Sequence, residues 1–411
     1  MTSRRSFLTT GAAGSLFTGL GRSAAKSDLR YSEVETRIAR RDFRNLTKED
    51  LGTPAMILDQ DIFDSNLQTM AAHSKATGLK IRPHVKIHKC PEVSKRQLAL
   101  GAIGVSCATI AEAELMNASG IRGVLWTCQP AGRNKISRVA ALAKKEPTYL
   151  WVVDDPLTVE ALEQAAGAAG AKMNILVDVY VGLTRQGAQP GETALGLAQK
   201  VAESKNLRLK GLMGYSGAAS HTRGWENRKK RSEDDLAALL ETAQLCRKSG
   251  LPIEILSGGS TGTYNIDSGI SGMTELQAGS YVFMDTIYRK IGGKSDPDVY
   301  SDFAPALTVM TTVISKTRPY QAAIDAGNKA LLRPTDEVKD MPNVKIENQG
   351  AEYGLLNWKE GDREIKLGDR VEIYPSNLDM SVNVYDRLYV AKGENIVDVW
   401  PIMGRAGAAQ R

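Results

Sequence analysis

The run Leu79-Lys80-Ile81-Arg82-Pro83-His84-Val85-Lys86-Ile87-His88-Lys89 passes from an apolar-basic strand pattern into a cluster of basic side chains. Pro83 and the following Pro91 bracket a segment that cannot be helical throughout, because proline lacks an N–H and restricts the residue before it. The spacing predicts a short strand ending near His84, with Lys86 and His88 on its exit loop and a helix starting at Cys90-Pro91-Glu92. Loops at strand ends are where a scaffold presents chemistry. A lysine among Arg82, Lys89 and two imidazoles lies in a positive field, which lowers its pKa and makes its amine nucleophilic. Taken alone, the same stretch also reads as a solvated basic loop.

Outward from this stretch, short apolar or β-branched runs alternate with helical patterns. Strands are expected at 55–59, 80–84, 104–108, 123–127, 149–154, 173–179, 207–215, 253–258 and 281–284. Apolar residues recur at three- and four-residue spacing over 62–77, 110–119, 156–169, 193–204 and 233–248, which predicts helices there. Several strands are apolar at successive positions, as expected when helices cover both faces of a parallel sheet. Eight such units close into a (β/α)8 barrel, so nine candidates leave one surplus, and an open doubly wound sheet fits the periodicity too. After about residue 302 the texture changes to strands at 306–315, 321–325, 364–365, 370–374 and 385–391. Turn-rich pieces such as Arg333-Pro334-Thr335-Asp336 lie between them, predicting a mostly antiparallel β domain over 301–411.

The chain has 411 residues, 42% hydrophobic and 24% charged, enough for a large domain and a smaller one. Its net charge of +6 comes without a dense basic block, which argues against nucleic acid and suits a small anionic molecule. Four scattered cysteines form no CxxC, so neither a zinc knuckle nor a disulfide scaffold is indicated. No apolar stretch is long enough for a membrane span. Arg4-Arg5, the mildly hydrophobic run after it and the small residues around Ala25 predict a twin-arginine signal over 1–28, hence export to the periplasm. Residues 29–300 would then hold a linker or early helix and the barrel.

In a barrel, functional residues fall just past the C-terminal ends of the strands. Lys86 does so, Asp178 and Arg185 flank a second exit, and Tyr215 and His221 follow a third. A fourth exit is Ser257-Gly258-Gly259-Ser260-Thr261-Gly262-Thr263-Tyr264. Glycines there let backbone N–H groups approach a phosphate, and hydroxyls add donors. A glycine-rich loop by itself is usually only a turn; a lysine, an arginine and such a turn at one barrel mouth are a sharper combination.

With Thr53-Pro54-Ala55, the Arg-Pro-His-x-Lys-x-His-Lys stretch, Tyr215 with Gly217, the 258–264 turn, Glu275-Leu276-Gln277-Ala278-Gly279-Ser280-Tyr281 and Asn383-Val384-Tyr385-Asp386-Arg387, the sequence resembles the D-threonine aldolase and eukaryotic-type D-serine dehydratase family of fold-type III pyridoxal-phosphate enzymes, from about 51 to 404. The resemblance implies an alanine-racemase-type barrel with a C-terminal β domain, the 55–59 strand joining the latter. It implies pyridoxal phosphate bonded to Lys86, which also moves a proton, and a phosphate held by Gly258, Gly259, Ser260, Thr261, Gly279 and Tyr281. Arg185 would face the pyridine nitrogen, Tyr215 and His221 would line the cofactor or substrate, and His84 and His88 would stand near the lysine. Fold-type III enzymes are often homodimers.

Three positions depart from the family pattern. Asn377 and Asp379 stand where a His-x-Cys or His-x-Asp metal pair is expected beside the substrate hydroxyl, Tyr353 replaces the histidine of a Glu-His-Gly element, and Ala218 replaces another. A divalent metal is therefore expected to be weakly held or absent, since an amide is a poorer ligand than imidazole for zinc. The expected function is a lyase on D-β-hydroxy-α-amino acids, with aldol cleavage favoured over dehydration. An amino-acid racemase and a noncatalytic pyridoxal-phosphate binder are the alternatives.

Overall fold

The first strand of the chain, Ala55–Asp59 (β1), lies outside the barrel in the computed structural model, which describes residues 29–332 and 337–405. The twin-arginine segment and the turn at 333–336 fall outside the described residues. The barrel strands are Lys80–Ile81 (β2), Ser106–Cys107 (β3), Leu125–Trp126 (β4), Leu150–Val153 (β5), Met173–Asp178 (β6), Leu207–Gly214 (β7), Ile255–Gly258 (β8) and Glu275–Leu276 (β9). All neighbours are parallel, in the order β2-β9-β8-β7-β6-β5-β4-β3. The ring closes beside the lysine stretch: Ile103 N donates to the Ile81 carbonyl (3.0 Å) and Ser106 N to the Pro83 carbonyl (2.8 Å).

Helices cover the outside, and their ends follow local chemistry. Pro156–Ala169 starts on Asp155, whose side chain accepts from Leu157 N (2.8 Å), and ends at Gly170 with φ +64°. Ile110–Ala118 carries a reciprocal cap between Thr109 and Glu112. Among the described residues no helix is long and apolar enough to cross a membrane.

The expected strand at 281–284 is corrected. Those residues lie in and after a 3-10 turn, Ser280–Val282, and are buried on every side, so the apolar run has no period to reveal its conformation. The eighth barrel strand is β9, which opens on a glutamate and so does not read as a strand.

The second sheet has the order β12-β13-β11-β10-β1-β15-β16. It is built from Leu307–Arg318 (β10), Gln321–Ile324 (β11), Lys345–Asn348 (β12), Gly354–Asn357 (β13), Arg370–Ile373 (β14), Arg387–Lys392 (β15) and Asn395–Pro401 (β16). β14 pairs with β10, and β1 is antiparallel to β10 and parallel to β15. Residues 364–365 are not a strand; Ile365 is buried from an irregular segment. Trp400 on β16 joins the two parts: its ring lies 5.7 Å from that of Phe63, and the Arg96 guanidinium sits 4.4 Å over it.

Candidate active site

The exits of the barrel strands and the segment 377–379 of the β domain enclose one cavity. Beyond β2, a single 3-10 turn, Val85–Ile87, presents Lys86, and His84 caps it by accepting from Lys86 N through Nδ1 (3.3 Å). Lys86 Nζ stands 3.3 Å from Asp379 Oδ2. Burial alone would lower the lysine's pKa, but the Asp379 carboxylate and Tyr215 outweigh it and raise it.

The positive field expected around Lys86 is thereby corrected. Arg82 does not line the cavity; it donates from Nε and Nη2 to the two oxygens of Glu275 (2.8 Å each), with both side chains buried. Lys89 donates from Nζ to the carbonyls of Lys86 and Asp379, tying the lysine turn to the β domain.

The histidines separate. His84 lines the cavity with Nε2 3.4 Å from Thr127 Oγ1, and burial followed by the Lys86 and Lys89 charges holds its pKa well below the usual value. His221 stands on the open side against the Tyr288 ring (4.5 Å), its pKa lowered by burial. His88 is fully buried away from the cavity, accepting from Cys90 N (3.1 Å), and burial followed by the Lys89 charge pulls its pKa down to about 3. It is a neutral structural imidazole.

Arg185 lines the cavity with its guanidinium 6.0 Å from the Tyr215 ring centroid. Asp178, at the end of β6, accepts from Gln186 Nε2 (2.7 Å) and Gln129 Nε2 (3.1 Å), and burial pushes its pKa up to about 7. Ser260, Thr261, Gly279 and Ser280 form another wall. Gly258 ends β8, and Gly259 has φ +76°; a Cβ there would come within 2.6 Å of Leu276 Cδ2. A Cβ on Gly279 would meet the His84 carbonyl at 2.9 Å. Tyr281 differs from expectation: its backbone N–H donates to Thr261 Oγ1 (3.0 Å), while its buried hydroxyl accepts from Gln97 Nε2 (3.1 Å), outside the cavity. Asp285, Tyr288 and Gln186 also line the cavity; single residues outside any motif, with Asp285 capping the short helix Thr286–Arg289, they gave no sequence signal.

A lysine amine, a guanidinium and a hydroxyl-lined turn with space only for glycine fit a phosphorylated pyridoxal. The donor set for a transition metal does not fit. Asn377 Oδ1 accepts from Met380 N (3.0 Å) as a helix cap, and Asp379 Oδ2 faces Lys86. Tyr353 is exposed on the turn between β12 and β13, beside the Lys329–Glu352 ion pair. Among the described residues no three His, Cys, Asp or Glu side chains gather to hold a metal.

The family model for the alanine racemase N-terminal domain matches residues 58–287, and that for a serine dehydratase domain matches 306–391. The chain is 33% identical over 355 residues to a D-threonine aldolase from Arthrobacter sp, covering 86% of this chain and 92% of the relative. It is 32% identical over 366 residues to a 3-hydroxy-D-aspartate aldolase from Paracoccus denitrificans (strain Pd 1222), covering 88% and 94%. The crystal structure of D-threonine aldolase from Filomicrobium marinum superposes with a TM-score of 0.82 at 36% identity, covering 87% of this chain and 96% of that one. Barrel, β domain and cavity together define a fold-type III pyridoxal-phosphate enzyme. The chain belongs to the D-threonine aldolase and D-serine dehydratase family of lyases with the alanine racemase fold.

Proposed function

We propose that the protein cleaves D-β-hydroxy-α-amino acids by a retro-aldol reaction that needs pyridoxal phosphate and no divalent metal. The observation that carries this reading is Asp379, whose Oδ2 lies 3.3 Å from Lys86 Nζ and whose Oδ1 is buried without a partner. When bound, pyridoxal phosphate takes up the electron pair of a bond broken at the substrate's Cα. Asp379 accepts the proton of the β-hydroxyl as the Cα–Cβ bond breaks and Cβ leaves as an aldehyde. Lys86 Nζ, recharged from Asp379 across 3.3 Å, delivers a proton to Cα, and glycine is the second product. His84, kept neutral, adds no competing charge beside the amine.

Dehydration is disfavoured because hydroxide is a poor leaving group and, among the described residues, no cluster of metal ligands stands ready to stabilise it. The aldolases at 32% and 33% identity support the same choice, and the racemase alternative draws only on a shared fold. Elemental analysis of protein purified without chelator, followed by assay in EDTA, tests the metal-free reading. Stoichiometric zinc, or activity lost to EDTA and restored by metal, contradicts it. Export is part of the proposal: replacing Arg4 and Arg5 with lysine should leave a reporter fusion in the cytoplasm, and an unchanged periplasmic signal contradicts it.

A further inference from the structure

Arg228, on the helix Trp225–Lys248, has 0% exposure. Its guanidinium donates to backbone carbonyls only: Nε to Gly262 (2.8 Å), Nη1 to Thr222 and Ile291 (3.0 Å each) and Nη2 to Gly292 (2.7 Å). Trp225 and Tyr300 flank it, with ring centroids at 5.7 and 5.6 Å. Among the described residues it forms no ion pair within 4.0 Å. The Asp302 charge reaches it from farther off, but that carboxylate accepts from Tyr264 Oη (3.0 Å) and Asn265 Nδ2 (2.9 Å). A buried guanidinium without a counter-ion is costly, and carbonyl dipoles offset only part of that cost.

Its position is behind the hydroxyl-lined turn. Gly262 follows Thr261, and Tyr300 Oη donates to the Thr261 carbonyl (2.6 Å), so Arg228 and Tyr300 hold the hydroxyl-lined turn from behind while Ser260 and Thr261 face the cavity. On the same turn, buried Asp267 accepts from the hydroxyls of Ser232 and Thr263, and Thr263 Oγ1 accepts from Ser260 N (3.1 Å). An acid behind an anion-binding turn opposes the anion; a cation there favours it.

We propose that Arg228 is a positioning residue for the cofactor phosphate: it fixes the carbonyl of Gly262, and the phosphate supplies the negative charge that its buried guanidinium lacks. This rests on the family's cofactor occupying the cavity. The test titrates full-length apoprotein with pyridoxal phosphate and with pyridoxal, which lacks the phosphate, following visible absorbance. Arg228→Met should weaken pyridoxal phosphate at least tenfold and pyridoxal less than threefold, while Arg228→Lys keeps most of the wild-type preference for the phosphorylated form. Equal weakening of both ligands, or loss of that preference in Arg228→Lys, overturns the proposal. Should Arg228→Met not fold, the wild-type apoprotein decides: inorganic phosphate should raise its melting temperature beyond chloride at the same ionic strength, and equal effects overturn the idea. A wild type that binds neither pyridoxal nor its phosphate overturns the cofactor reading itself.

Discussion

Asp379 of the β domain reaches Lys86 of the barrel at 3.3 Å, so the cavity amine of one part of the chain faces a carboxylate of the other. Lys89 fastens the same junction by donating to the Lys86 and Asp379 carbonyls. The site therefore depends on the docking of the two sheets as much as on the barrel.

Lys86 lines the cavity, whereas Lys89 Nζ is buried against backbone carbonyls, so the proposal puts the cofactor on Lys86. Lys86→Ala should abolish the visible absorbance of the purified protein and the cofactor adduct fixed by borohydride. Peptide mapping that finds the adduct on Lys89 in the wild type contradicts this assignment.

The Arg82–Glu275 pair ties the end of β2 to its neighbour β9, and Ser257 Oγ also donates to Glu275 (2.7 Å). Removing one partner leaves an uncompensated buried charge, so Arg82→Met or Glu275→Leu alone should cost about 3–5 kcal/mol of stability. The double substitution should cost less than the sum of the two, as read from denaturant midpoints. Strict additivity contradicts the coupling.

Those two residues also mark what the sequence could and could not reveal. The alternation of strand and helix was legible because apolar side chains repeat with the period of each element, and the helix 156–169 was legible to its ends because Asp155, Pro156 and Gly170 punctuate it. Arg82 looked like part of a basic cluster because its partner lies 193 residues away, and Glu275 hid a strand for the same reason. Strands β12 and β13, four residues each, and the longer β16 went unread, being half-exposed and flanked by polar turns. Lys86 and the glycine-rich turn were legible from local chemistry. The cavity residues Asp285 and Tyr288 meet the rest only through the tertiary fold.

Asp267 makes stability depend on pH. Burial pushes its folded pKa up from 3.8 to about 6, so its stabilising share is full below about 4 and is lost as pH rises through about 6. Wild type compared with Asp267→Asn should therefore gain stability as pH falls from 7.5 to about 4. A difference that is flat or reversed across that window, measured by chemical denaturation, contradicts the assignment.

The proposed function implies that the cavity would sort substrates by charge. On the proposed function its cations Lys86 and Arg185 would engage the cofactor, while Asp285 and Asp379 line the side formed with the β domain. A side-chain carboxylate would meet like charge there without a free cation. D-threonine should exceed D-threo-3-hydroxyaspartate in kcat/KM by at least about tenfold, or 1.4 kcal/mol. Equal efficiency on the two contradicts this reading.

The most direct test of metal-free aldol cleavage is product analysis with D-threonine in the presence of EDTA. The account predicts acetaldehyde and glycine in equal amounts at an undiminished rate. Formation of 2-oxobutanoate and ammonia, formation of L-threonine, or a rate that falls with EDTA and returns with added metal would contradict it.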